Sequence, residues 1–141
     1  LKISEENQMK ESADITIENS DGIPKMRRQV GDSSEIAVLI SPGFGAGWST
    51  WSPEDSLVLL FHKDIVEFIL KNPVETCVDA EAWDREVAGL VHAITGDDCA
   101  YMGGAEQLVV AWLPEGTPFI VTEYDGAEGL RSLSSYDWHK A

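Results

Sequence analysis

Three observations predict an α+β fold, a single domain with a mainly antiparallel sheet of about five strands and two or three helices on one face. The first is a helical stripe: Trp83, Val87, Leu90, Val91 and Ile94 fall at i, i+4, i+7, i+8 and i+11. The second is the continuous apolar run Glu35-Ile-Ala-Val-Leu-Ile40, whose Ile and Val content suits a strand buried on both faces. The third is the last third of the chain, where short β-type runs alternate with the turn signals Leu113-Pro-Glu-Gly116 and Asp125-Gly126. With 141 residues and 43% hydrophobic content, the chain suits one core.

Taken in order, residues 1–22 form a polar, charged segment in which Ala13-Asp-Ile-Thr-Ile17 alternates as an edge strand would, and the domain proper is expected over residues 23–141. Lys25-Met-Arg-Arg-Gln-Val30 carries three of the ten basic residues and ends at the turn composition Gly31-Asp-Ser-Ser, which suits pairing with the run that follows. Ser52-Pro53-Glu54-Asp55 has a capping residue, proline at the first helical position and acids in the first turn, predicting a short helix to about Leu60. A second helix is expected over 63–71, stopped by Asn72-Pro73 because proline bars continuation. The striped helix is expected over 81–95, with Asp79 as its N-cap and Gly96 at its C-terminal side. Leu108-Val-Val-Ala-Trp-Leu113, Phe119 to Tyr124 and Glu128 to Leu133 then read as a three-stranded meander.

Charge narrows the partners. Ten Lys and Arg against 25 Asp and Glu give a net −15. From Asn72 onward there are 3 basic and 13 acidic residues, against 7 and 12 before it, so the excess gathers in the second half. Such a field repels phosphate, which argues against direct binding to nucleic acid or to an anionic membrane; the excess reads first as solubility, with a basic protein as the partner class it would also suit. No run approaches a membrane span, the start of the sequence lacks the apolar core of a signal peptide, and Cys77 and Cys99 make no disulfide framework; a cytoplasmic location is expected. A sheet with helices on one face leaves its other face and its edges to be covered, which predicts a homodimer.

The site expected from sequence is the stretch Ser41-Pro-Gly-Phe-Gly-Ala-Gly-Trp-Ser-Thr-Trp51. Three glycines in five positions let backbone adopt positive φ or approach another group closely, and Trp48 and Trp51 supply large amphipathic surfaces. Three readings stand: a phosphate loop, a structural turn, or a contact for a small ligand or protein. The spacing fits neither the dinucleotide fingerprint nor the Walker pattern. Buried tryptophans would make the loop a packing device, and partly exposed ones would rim a cleft.

Glu123, Tyr124, Asp125 and Glu128 cluster around the Asp-Gly hairpin. As i and i+2 on one strand face, Glu123 and Asp125 would repel and raise one pKa, giving an acid/base pair or a hard-cation site; as a solvated hairpin end they would do neither. Asp97-Asp98 read as turn residues. His92 is expected to face solvent, His62 to cap or pair locally, and His139 lies in the tail. No metal-ligand spacing, nucleophile motif or cofactor fingerprint is present, and the acidic setting of Cys99 opposes a reactive thiolate.

Pro42-Gly-Phe-Gly-Ala-Gly-Trp-Ser-Thr-Trp51 and Trp112-Leu-Pro-Glu-Gly-Thr-Pro-Phe-Ile-Val-Thr-Glu-Tyr-Asp-Gly-Ala-Glu128 together resemble short proteins of bacteriophages and mobile gene cassettes that pair a glycine-tryptophan loop with a Pro-Glu-Gly hairpin ending in Glu-Tyr-Asp-Gly. The resemblance implies a mobile-element accessory protein and two segments that lie together in space; it carries over no catalytic residue. The expected function is a non-enzymatic module for a small ligand or protein, binding through Gly45, Trp48, Trp51, Glu123, Tyr124 and Asp125 without a cofactor. The alternatives are a small enzyme using Glu123 or Asp125 as acid or base, and an acidic mimic that blocks a nucleic-acid-binding protein.

Overall fold

A computed structural model of the chain describes residues 17–18, 22–98 and 100–132. Strands β1 (Ile17–Glu18) and β2 (Pro24–Lys25) pair briefly, and β3 (Arg27–Val30), β4 (Ser33–Ile40) and β5 (Val109–Pro114) form a three-stranded sheet with β4 in the middle. Strands β6 (Phe119–Tyr124) and β7 (Ala127–Ser132) form a separate hairpin, and every pairing is antiparallel. Three α-helices, α1 (Ser56–Phe61), α2 (Lys63–Lys71) and α3 (Ala80–Thr95), lie between β4 and β5 in sequence. The α+β architecture is as the sequence predicts. Most of residues 1–21, with the proposed edge strand Ala13 to Ile17 apart from its last residue, lie outside the described residues, as do Cys99 and the tail with His139.

Strand β4 divides the interior in two. Ala37 and Leu39 face Trp48, Leu59, Ile65, Val66, Trp83, Val87 and Val91, so α2 and α3 close one side. Val38 and Ile40 face the other way, toward Ile23, Leu60 and Phe61, with Phe119, Val121 and Leu130 of the hairpin packed against them. Residues Ala37 to Ile40 are all buried, which is why the run shows no polar alternation.

Helix ends follow local chemistry. Asp79 Oδ1 accepts from the backbone N–H of Glu81 at 3.1 Å and of Ala82 at 3.3 Å, and Gly96 closes α3 with φ 74°. His62 interrupts α1 and α2 with ψ 123°, and its Nδ1 accepts from Asp64 N at 3.1 Å, the capping role the sequence suggested. Burial holds the imidazole below its ordinary pKa, which keeps that nitrogen an acceptor. The stripe of α3 buries Trp83, Val87 and Val91, and Trp83 Nε1 donates to Asn72 O at 2.7 Å, tying α3 to the end of α2. Among the described residues no helix is long and apolar enough to cross a membrane.

The expected meander is corrected. Strand β5 pairs with β4, Leu113 opposite Ile36, and not with β6. The turn expected over Leu113–Gly116 closes one residue later, Thr117 N donating to Pro114 O at 3.0 Å with Gly116 at φ 89°. Pro118 follows, has no N–H for a ladder, and the chain leaves the sheet plane there. The hairpin it enters packs Phe119, Val121 and Leu130 on the sheet face opposite α2 and α3, beside Leu60 and Phe61 of α1.

The basic residues of residues 25–30 are held on this framework. Arg27 pairs with Glu115, its Nε donating at 2.9 Å; Arg28 pairs with Glu35 at 2.8 Å and lies over the Trp112 ring; Lys25 Nζ sits 3.8 Å from the Phe61 ring centroid. The Arg27 guanidinium, helped by the Ser34 hydroxyl, lowers the Glu115 carboxyl below its usual range.

Candidate functional site: the glycine loop and the hairpin end

The loop after β4 and the turn of the β6–β7 hairpin are stitched together along their backbones. Gly45 N donates to Asp125 O at 2.6 Å and Gly47 N to Gly126 O at 2.8 Å. Both loop glycines have positive φ, 72° and 71°, a conformation in which other residues are strained. Gly126 is needed for contact as well: a Cβ there would stand 2.9 Å from Ala46 N and from Gly45 Cα. The adjacency implied by the two quoted segments is thus present in the fold.

Behind this seam lies a buried carboxylate. Glu128 is 4% exposed. Its Oε1 accepts from Ser41 N at 3.0 Å, and its Oε2 accepts from Trp48 N at 2.8 Å, from Thr50 N at 3.0 Å and from the Thr50 hydroxyl. Its own N–H donates to Ser41 O at 3.0 Å. Four donors around one carboxylate satisfy a charge that would otherwise be costly inside a protein. The loop therefore cradles an anion as a glycine-rich loop can, and the anion is its own glutamate; the phosphate-loop reading loses the donors it requires.

The two tryptophans part company. Trp48 is 0% exposed, its Nε1 donates to Leu59 O at 2.7 Å, and its ring lies in the core beside Ala37, Leu39 and Val87. That position corrects its placement at a ligand surface: here the packing reading holds. Trp51 is 38% exposed, lies against Tyr101 with ring centroids 5.1 Å apart, and donates from Nε1 to Glu123 Oε2 at 3.2 Å.

On the outside of the seam two large rings stand mostly in solvent. Phe44, 74% exposed, meets Tyr124, 76% exposed, edge to face with centroids 6.4 Å apart. Tyr101 donates its hydroxyl to Gly45 O at 3.3 Å, which fixes the loop from the other side. Glu123 also accepts from Gly126 N at 2.7 Å through the oxygen that Trp51 uses, leaving Oε1 without a donor among the described residues. Asp125, at φ 52°, belongs to the turn and not to the strand, so the alternation that would set it on one face with Glu123 does not reach it. Both carboxylates are exposed, and the clefts considered below are lined by neither. Nothing in this arrangement makes them an acid/base pair.

Of the residues singled out in the sequence, Gly45, Trp51, Glu123, Tyr124 and Asp125 come together here, and Trp48 lies beneath them. Sequence reasoning does not point to Phe44 or Tyr101. Phe44 was legible, since it sits between two of the glycines; Tyr101, in the coil after α3, carries no local signal. A second acidic feature borders the patch: Trp51, Tyr101, Asp55 and Asp97 line a groove of about 330 Å³. There a hydrogen bond with Asp97, with burial and nearby Glu54 adding to it, pushes the Asp55 carboxyl above its ordinary range. Asp97 follows the α3 cap, where its N–H donates to Thr95 Oγ1 at 3.0 Å, as a turn residue does. His92 is exposed, and among the described residues no group of three His, Cys, Asp or Glu side chains could hold a metal.

Compared with protein-family models, with curated proteins and with solved structures, the chain matches none.

Proposed function

We propose that this chain is a binding module without chemistry of its own, and that it recognises a basic protein segment through the end built by Phe44, Trp51, Tyr101 and Tyr124 with Glu123 and Asp125. The carrying observation is the pair Phe44 and Tyr124: two large rings, about three-quarters exposed, on a backbone that four donors to Glu128 and two loop-to-hairpin bonds hold fixed. Preorganised aromatic surface loses little conformational entropy on binding, which is what recognition surfaces use. Two exposed carboxylates at the same hairpin end, on a chain of net −15, select for positive charge, and an arginine-bearing segment offers a group for the rings and one for the carboxylates.

The enzyme reading gains no support: Glu123 is engaged by Trp51 and Gly126, and Asp125 is a turn residue on the surface. The mimic reading shares the basic partner and differs in footprint, needing carboxylates over a continuous face in place of one aromatic end. An arginine-rich peptide as probe tests the proposal. It should bind the wild type in a salt-dependent way and lose affinity about tenfold for the double variant F44A/Y124A, the loss expected for two cation–π contacts. A variant with unchanged affinity would refute the aromatic end as the binding surface.

A further inference from the structure

The same hairpin presents a second feature that the aromatic end does not explain: one of its edges is open. The two-residue turn Asp125–Gly126 makes Tyr124 and Ala127 the closing hydrogen-bonded pair, and alternation along the ladder makes Thr122 with Gly129 and Ile120 with Arg131 the next ones. The peptide groups of Phe119, Val121 and Glu123 therefore point out of the hairpin on the β6 side, and those of Glu128, Leu130 and Ser132 on the β7 side. The β7 side is engaged with the main sheet, Glu128 N donating to Ser41 O at 3.0 Å. The outward groups of Phe119, Val121 and Glu123 have no partner among the described residues.

Natural edges are usually blunted by proline, by lysine or by a bulge. Strand β6, Phe-Ile-Val-Thr-Glu-Tyr, has none of the three, and its ladder with β7 is unbroken over six pairs. Its surroundings suit an added strand. At the Phe119 end, a cleft of about 290 Å³ is lined by Ile36, Val38, Phe61, Leu113 and Phe119, on the side toward which β6 turns its core face. At the Glu123 end stand the unengaged Oε1 of Glu123 and, in the turn that follows, the exposed Asp125 carboxylate.

We propose that the partner binds as an extended strand added to the free edge of β6, placing an apolar side chain in the cleft beside Phe119 and a cationic one, four residues away, against Glu123. This rests on the reading of the aromatic end as a recognition surface and names how the partner docks. Strand addition derives affinity from main-chain bonds and specificity from alternate side chains. The four-residue separation follows from the period of two, which sets positions opposite Phe119, Val121 and Glu123 on one face. A basic partner, and not a second copy of the chain, is the occupant the charge selects: the half of the sequence holding this edge has 13 acidic and 3 basic residues, so two copies would meet with like charge.

The test uses the full chain and a capped peptide Thr-Arg-Thr-Val-Thr-Leu-Thr, which in antiparallel alignment sets Arg at Glu123, Val at Val121 and Leu at Phe119. Its control is the same peptide N-methylated at the amides that would face β6. The expected result is binding with at least tenfold slower amide hydrogen exchange at Phe119, Val121 and Glu123, and at least tenfold weaker binding of the control. Equal binding of both peptides, or binding without that protection, overturns strand addition and leaves the aromatic end standing. Binding of neither peptide overturns both readings. Protection of the same three amides that rises with protein concentration in the absence of peptide gives the edge to a second copy and overturns the proposal.

Discussion

The inner and outer sides of the glycine loop are made from neighbouring residues and do opposite work. Inside, Trp48 and Glu128 are buried and fully partnered, the indole by Leu59 and the carboxylate by Ser41, Trp48 and Thr50. Outside, Phe44 and Tyr124 meet edge to face and are about three-quarters exposed. The contrast teaches what the glycines are for. They let the loop backbone reach the hairpin turn at 2.6 and 2.8 Å, and this close approach both closes the core and lifts two rings into solvent. A glycine-rich loop is therefore evidence of backbone proximity first, and of a ligand only if its donors remain available.

Substitutions on the inner side of the loop carry the largest expected effects. Trp48→Ala removes a fully buried indole and the bond to Leu59, and is expected to lower stability by about 3–5 kcal/mol, read as a loss of the cooperative unfolding transition at ambient temperature or its shift to much lower denaturant. Glu128→Gln keeps the shape but turns an amide N–H2 or a single carbonyl toward donors at Ser41, Trp48 and Thr50. The resulting unmatched donors should cost about 3 kcal/mol in a urea midpoint measurement. Gly126→Ala forces a Cβ to 2.9 Å from Gly45 and Ala46, and a loss of about 2 kcal/mol with faster exchange of the Gly45 and Gly47 amides is expected.

Smaller effects sharpen the same contrast away from the loop. The His62 pKa is lowered in the folded protein, chiefly by burial, so its contribution is present above the unfolded value of 6.5 and fades as pH falls through the folded value. Protonation also removes the Nδ1 acceptor of the α2 cap, and thermal midpoints should drop on acidification below pH 6.5 by an amount that His62→Ala abolishes. At the outer side, the double variant F44A/Y124A should change stability by no more than about 0.5 kcal/mol, since both rings are mostly in solvent.

Much of this layout is legible in the sequence where a residue's role is local. The cap at Asp79, the stop at Asn72-Pro73, the left-handed Gly96 and the Asp125-Gly126 turn each depend on a few adjacent residues, and the helix spans follow from them. The two-sided burial of Ala37 to Ile40 follows from composition alone. What the sequence hides is set by distant partners. That β5 pairs with β4 and the hairpin crosses to the other face depends on how Val121 and Leu130 fill space beside Val38 and Ile40, which no local pattern records. Glu128 looks like any hairpin acid until Ser41 and Thr50 arrive from more than seventy residues away. Trp48 and Trp51 are of one type and three residues apart, and only the short helical turn Ser49–Trp51 that separates them assigns one to the core and one to the surface.

The rings outside the loop serve another molecule, and those inside serve the fold. Isothermal titration of an arginine-rich peptide into the wild type and F44A/Y124A, beside their unfolding midpoints, separates the two. A Kd raised about tenfold with an unchanged midpoint is the predicted result. An unchanged Kd, or a midpoint lowered as far as that of Glu128→Gln, would contradict it.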